Sequence, residues 1–184
     1  MDLKKSEGTK ITGIVERRLF DANGNVKAQF KDNALWKLIK GHFGIDLRIP
    51  FITGMWTTEA LKFNTVTTQG YKVVAQQLGG TTTTPVTAIA IGTGSPGSTA
   101  LGSEITTGGG ARGAATISNT TTTTTGDTEQ WVKTFTFTSS FAVTEEGLFD
   151  NNSSGGNMVC DQSFSAVNIV SGDSLQITHK VVVS

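Results

Sequence analysis

Cysteine is nearly missing from this chain: Cys160 stands alone among 184 residues. No intrachain disulfide can form, so stability has to come from a packed core, and 184 residues suffice for one. Charge is scarce as well. Asp, Glu, Lys and Arg make up 16% of the residues, and the formal net charge is +0. That balance excludes a general electrostatic attraction to nucleic acid or to an acidic membrane. The local exception is Lys4, Lys5, Lys10, Arg17 and Arg18, read as a solvated basic arm and its continuation. His42 and His179 are the only histidines, and their separation is not that of a zinc site. No apolar run approaches the ~20 residues of a membrane span. The start, Met1-Asp-Leu-Lys-Lys5, has no apolar stretch after its basic residues, so no signal peptide is expected and synthesis in the host cytoplasm is.

What the chain does have is alternation. In Trp131 to Thr138 the odd positions Trp131, Phe135 and Phe137 share one face, and Val132, Thr134, Thr136 and Thr138 take the other. The last segment repeats the pattern, with Leu175, Ile177, Val181 and Val183 opposite Gln176, Thr178, Lys180 and Ser184. A period of two marks half-buried strands, because successive side chains point to opposite faces. His179 has inward parity on that strand and reads as a core histidine with its hydrogen bonds satisfied. Cys160 shares parity with Met158 and Phe164, which makes it a small buried hydrophobe. Further strands are expected at Val86 to Ile91, Ala111 to Ser118 and Phe141 to Phe149, the last ending in the turn Asp150 to Gly156. Short strands separated by turns every dozen or so residues predict an antiparallel β-sandwich, jelly-roll-like.

Towards the N-terminus, Ile11 to Phe20 and Val26 to Phe30 flank Asn23-Gly24, a favoured source of positive-φ turn residues, and predict a β-hairpin. One or two short helices follow. Asn33 can cap a helix over Asn33 to Lys40. Thr67 or Thr68 can start another at Thr68 to Leu78, with Gly79-Gly80 as its stop. Tyr71, Val74, Ala75 and Leu78 form an apolar stripe on it, expected to pack into the core. Between the helices, Ile45 to Trp56 is strongly apolar yet broken by Pro50 and Gly54. It reads either as a loop tucked onto its own core or as a patch that docks on another subunit. On the second reading Trp36, Leu47, Ile49, Phe51, Ile52 and Trp56 are the interface candidates, tryptophan being enriched at binding hot spots. The expected organisation is residues 1–80 as arm, hairpin, helices and docking region, and residues 81–184 as the β-sandwich.

No set of side chains in the sequence assembles a catalyst. Gly92-Thr-Gly-Ser-Pro-Gly97 matches G-x-G-x-x-G after a strand, but a dinucleotide site needs a helix to begin there, and Ser98 to Glu104 is short and broken by Gly102. The stretch is a turn instead. Glu145 and Glu146 are neighbours on a strand, point to opposite faces and cannot act as a facing acid–base pair. Asp150, Asp161 and Asp173 sit near turns and read as caps, without the spacing of a calcium loop. No catalytic residue, cofactor or metal is therefore expected.

Several stretches together are similar to a recurrent group of tailed-bacteriophage virion proteins: Ala88 to Gly94, Thr99 to Ile105, Arg112, the alternating Phe strand, Thr144 to Phe149, and Phe164 to Leu175. Asn64 to Tyr71 and Leu78 to Gly80 resemble that group's helix. The resemblance implies a non-enzymatic structural protein of the virion and carries no catalytic residues. Within that group the first expectation is a capsid decoration or cement protein, a homotrimer, partnered by the major capsid protein or other virion subunits. The alternative is a tail, baseplate or fibre module that binds a host-surface glycan or protein, with Asn151 to Asn157 and Gly108 to Arg112 as its binding loops. Neither nucleic acid nor membrane is an expected partner.

Overall fold

The computed structural model describes residues 11–30, 42, 64–82 and 84–183. Two five-stranded antiparallel sheets face one another. The first contains β1 (Ile11–Phe20), β2 (Val26–Phe30), β6 (Thr116–Thr120), β7 (Thr128–Thr136) and β10 (Ser174–Val183), in the order β2-β1-β10-β7-β6. The second contains β3 (Thr65–Val66), β4 (Ala88–Gly92), β5 (Gly113–Ala114), β8 (Phe141–Phe149) and β9 (Met158–Ile169), in the order β3-β9-β8-β4-β5. The expected β-sandwich is the observed fold.

The alternating segments supply the inner faces. Trp131 and Phe135 of β7 and Phe137 just after it are buried, as are Leu175 and Ile177 of β10, and they meet Ile89, Ile91, Val143 and Leu148 from the other sheet. Thr134, Thr136 and Thr138 are exposed. Along β10 the inward parity continues to Val181 and Val183, but these two are half-buried and exposed and line a cleft, while Val182, of the opposite parity, is buried. The first hairpin turns at Asp21, whose carboxylate accepts the amides of Asn23 and Asn25, and Gly24 takes a φ of +82°. β1 then pairs with β10 along its whole length, from Ile11 opposite Val183 to Phe20 opposite Ser174. The first and last strands of the described chain are thus neighbours in one sheet.

Met158 departs from its expected parity. Cys160 and Phe164 do face the main core, but Met158 lies with Ala88, Ala90, Leu101 and Phe149 in a second cluster. The cause is a register shift between Leu148 and Phe149, which puts Phe149 opposite Met158 and Leu148 opposite Cys160.

The helix whose course lies among the described residues is α1 (Thr68–Leu78); His42 is also helical. Thr67 caps it: its Oγ1 accepts the Gly70 amide at 2.9 Å and donates to the Met158 carbonyl. Gln69 adds a second stitch, accepting the Met158 amide at 3.0 Å. Gly70 sits so close to β9 that a Cβ there would lie 2.0 Å from the Val159 carbonyl oxygen. These contacts set the rotation of α1, and they correct the expected stripe. Gly70 and Val73 face inward, while Tyr71 is 64% and Leu78 86% exposed.

Candidate functional site

The two loops expected to bind are joined by one arginine. The Arg112 guanidinium grips Glu104 with a bidentate fork, Nε to Oε1 at 2.9 Å and Nη2 to Oε2 at 2.5 Å. Its Nη1 donates to the Gly155 carbonyl at 2.7 Å, and its plane lies 3.5 Å from the Phe149 ring centroid. Arg112 is therefore a staple between the segment before β5 and the Asn151–Asn157 loop, with its charge already matched. The other end of its segment lies elsewhere: the Gly108 carbonyl accepts the Thr138 amide at 2.9 Å, beyond β7.

The Asn151–Asn157 loop is itself tightly closed. Asp150 accepts the Asn157 amide and its Nδ2, each at 2.6 Å, and Asn151 Oδ1 accepts the Ser153 amide at 3.0 Å. The tip from Asn152 to Gly156 is exposed. It offers amide, hydroxyl and backbone groups on a rigid base.

The G-x-G stretch does bind an anion, and the anion is internal. Glu145 is fully buried, and its carboxylate accepts the amides of Gly94 at 3.0 Å, Ser103 at 2.8 Å and Gly102 at 2.9 Å. A Cβ on Gly92 would fall 2.3 Å from the Glu145 carboxylate, so the glycine is needed for that approach. Glu145 serves as the permanent filling of an amide nest, and the loop is fixed against the outer side of its sheet.

Glu146, on the opposite face of β8, enters the sandwich interior. Its carboxylate lies 3.1 Å from His179 Nδ1, with both side chains fully buried. Asn64 Nδ2 lies 2.7 Å from His179 Nε2, and the Trp131 ring meets the imidazole edge-on at 6.5 Å. Burial works against the imidazolium, but the Glu146 charge and hydrogen bonds from Glu146 and Cys160 outweigh it and raise the His179 pKa to about 10. The pair is an internal ion pair; the imidazolium donates from both ring nitrogens, so Asn64 meets Nε2–H as an acceptor only with its amide turned to present Oδ1, an atom otherwise buried without a partner. On the other side of the same sheet Asp161 is half-buried, and burial together with the Glu146 and Glu145 charges raises its pKa to about 6. Asp173 accepts the Val170 amide at 3.1 Å and pairs with Lys27 at 2.7 Å, a turn cap as expected.

The sequence reading missed the His179–Glu146 contact, although inward parity at both positions was available as a signal. It also missed a cleft of about 560 Å³ at the end of the sandwich, floored by Trp131, Leu148 and Cys160 and walled by Val74, Ile117 and Val183. Among the described residues no group of His, Cys, Asp and Glu is placed to hold a metal ion, and no helix is long and apolar enough to cross a membrane. The interface candidates Trp36, Leu47, Ile49, Phe51, Ile52 and Trp56 lie outside the described residues, as does the expected helix at Asn33 to Lys40.

Residues 64–183, about two thirds of the chain, match the family described as Podophage GP4 fiber I protein gp80. No curated protein and no solved structure matches.

Proposed function

The chain belongs to the Podophage GP4 fiber I protein gp80 family, and from that membership we propose that it is a non-enzymatic fibre component of a tailed-phage virion whose loops meet a glycan or protein on the host surface. The observation that carries this reading is the extent of the family match, which runs from the strand before α1 to the end of β10. The fold is consistent with it. The buried acids are spent on an internal ion pair and an amide nest, and the exposed loop at Asn152 to Gly156 is braced by Arg112. A family named for a fibre favours this role over the capsid-cement role expected first.

Location in the particle separates the two. Gold-labelled antibody against this chain, viewed on purified virions, is expected at the tail, in few copies. Label spread evenly over the shell overturns the fibre reading. The copy number at each site tests the homotrimer in the same experiment. For the recognition step, Asn152→Lys with Ser154→Lys alters only exposed loop positions and is expected to abolish adsorption of the purified chain to host cells. Unchanged adsorption removes this loop from the contact.

A further inference from the structure

We propose that the open end of the sandwich is a self-association surface, at which a second copy of this chain seats its residues 1–10 in the cleft. Six large hydrophobic side chains are exposed among the described residues, and four of them gather at this end. Ile117 and Val183, 40% and 49% exposed, line the cleft itself. Val74 lines it too, and Tyr71 and Leu78 lie one helical turn to either side of Val74 on the same face of α1. The apolar floor and this rim are therefore continuous. A cleft of about 560 Å³ with such walls forfeits both transfer free energy and packing contacts as long as it faces water.

The occupant follows from charge and from where the segment is rooted. Among the described residues the charged side chains lining the cleft are Asp127 and Glu129, both acidic. Residues 1–10 carry Met1 and Leu3 as apolar anchors, with Lys4 and Lys5 directly beside Leu3. The root of that segment, Ile11, is itself a wall of the cleft and stands opposite Val183 on the last rung of the sheet. When two such ends meet about a twofold axis, each segment is rooted beside the other copy's cleft, and the same patch on each copy covers the other. Met1 and Leu3 alone could not cover Tyr71, Leu78, Ile117 and Val183; a second rim does.

The test is sedimentation equilibrium on the full chain, with circular dichroism to confirm the fold of each variant. The wild-type chain is expected to self-associate. Deletion of residues 1–10, or Lys4→Glu with Lys5→Glu, is expected to weaken association at least ~10-fold, as is Tyr71→Asp with Leu78→Asp at exposed positions. Adding Glu129→Lys to the Lys4→Glu, Lys5→Glu chain is expected to restore association, an outcome that misfolding cannot produce. A wild-type chain that stays monomeric at high concentration overturns the proposal. So does an oligomer indifferent to both the deletion and the helix substitutions.

Discussion

The buried His179–Glu146 pair makes stability depend on pH in a direction that its geometry dictates. The imidazolium is held by a carboxylate at 3.1 Å with no solvent on either side, and its pKa stands at about 10 in the folded chain. In the unfolded chain histidine titrates near ~6.5. A pKa raised on folding means that the folded state binds the proton more tightly. The pair's contribution is therefore whole below pH ~6.5 and is lost as pH rises through 10. Over that window the slope approaches ~1.4 kcal/mol per pH unit, so about 2 kcal/mol disappears between pH ~7 and ~9. Glu146→Gln removes the counter-charge, leaves a neutral histidine and abolishes this slope.

The informative quantity is thus the difference in unfolding free energy between wild type and Glu146→Gln, measured by urea denaturation at each pH. It is expected to be larger at pH 7 than at pH 9, by about 2 kcal/mol. His179→Leu tests the other side of the pair: it strands a buried carboxylate and is expected to cost ~3–5 kcal/mol, most of which returns when Glu146→Leu is added. An equal difference between wild type and Glu146→Gln at pH 7 and pH 9 refutes the assignment of a charged, paired His179.

Three further outcomes are expected. Glu145→Ala leaves the amides of Gly94, Gly102 and Ser103 without their acceptor and should cost ~2 kcal/mol; hydrogen exchange read at residues 93–103 should accelerate, and protection equal to wild type contradicts the amide-nest role. Gly70→Ala places a methyl 2.0 Å from the Val159 carbonyl oxygen and must lift α1 from β9; a loss of ~2 kcal/mol is expected in thermal unfolding, and an unchanged melting temperature argues against the close docking. Asp161 has its pKa raised to about 6, so its ionised form is disfavoured on folding, the penalty being absent below pH ~3.9 and complete above about 6. Asp161→Asn should accordingly raise the melting temperature at pH 8 and leave it unchanged at pH 3.5, with the reverse order refuting the sign.

Features carried by neighbouring residues could be read in advance, and features that depend on distant ones could not. The alternation in β7 and β10 follows from the period of an extended chain, and the Asn23-Gly24 turn and the Thr67 cap follow from local hydrogen bonding. By contrast, the pairing of β1 with β10 joins the two ends of the described chain, and no local signal sets which strand lies beside which. The register shift at Leu148–Phe149 turned Met158 away from Cys160 for the same reason. The α1 stripe misled because amphipathicity names a face without naming what covers it. The approach of Gly70 to Val159 decided the rotation, and it comes from β9, some ninety residues on. The glycine loop shows the same division: the turn at Gly92 to Gly97 is legible locally, but the carboxylate that its Gly94 amide meets stands 51 residues away at Glu145. The His179 pair sits between these cases. A sandwich interior accepts an ionisable ring only beside a partner. His179 has the parity of Leu175 and Ile177, and Glu146 has the parity of Leu148, which is also fully buried. Arg17 on β1 is a second inward cation, buried between Val15 and Leu19 in parity and lying over the Phe164 ring, so parity names the candidates for Glu146 but the register across the sheets decides for His179.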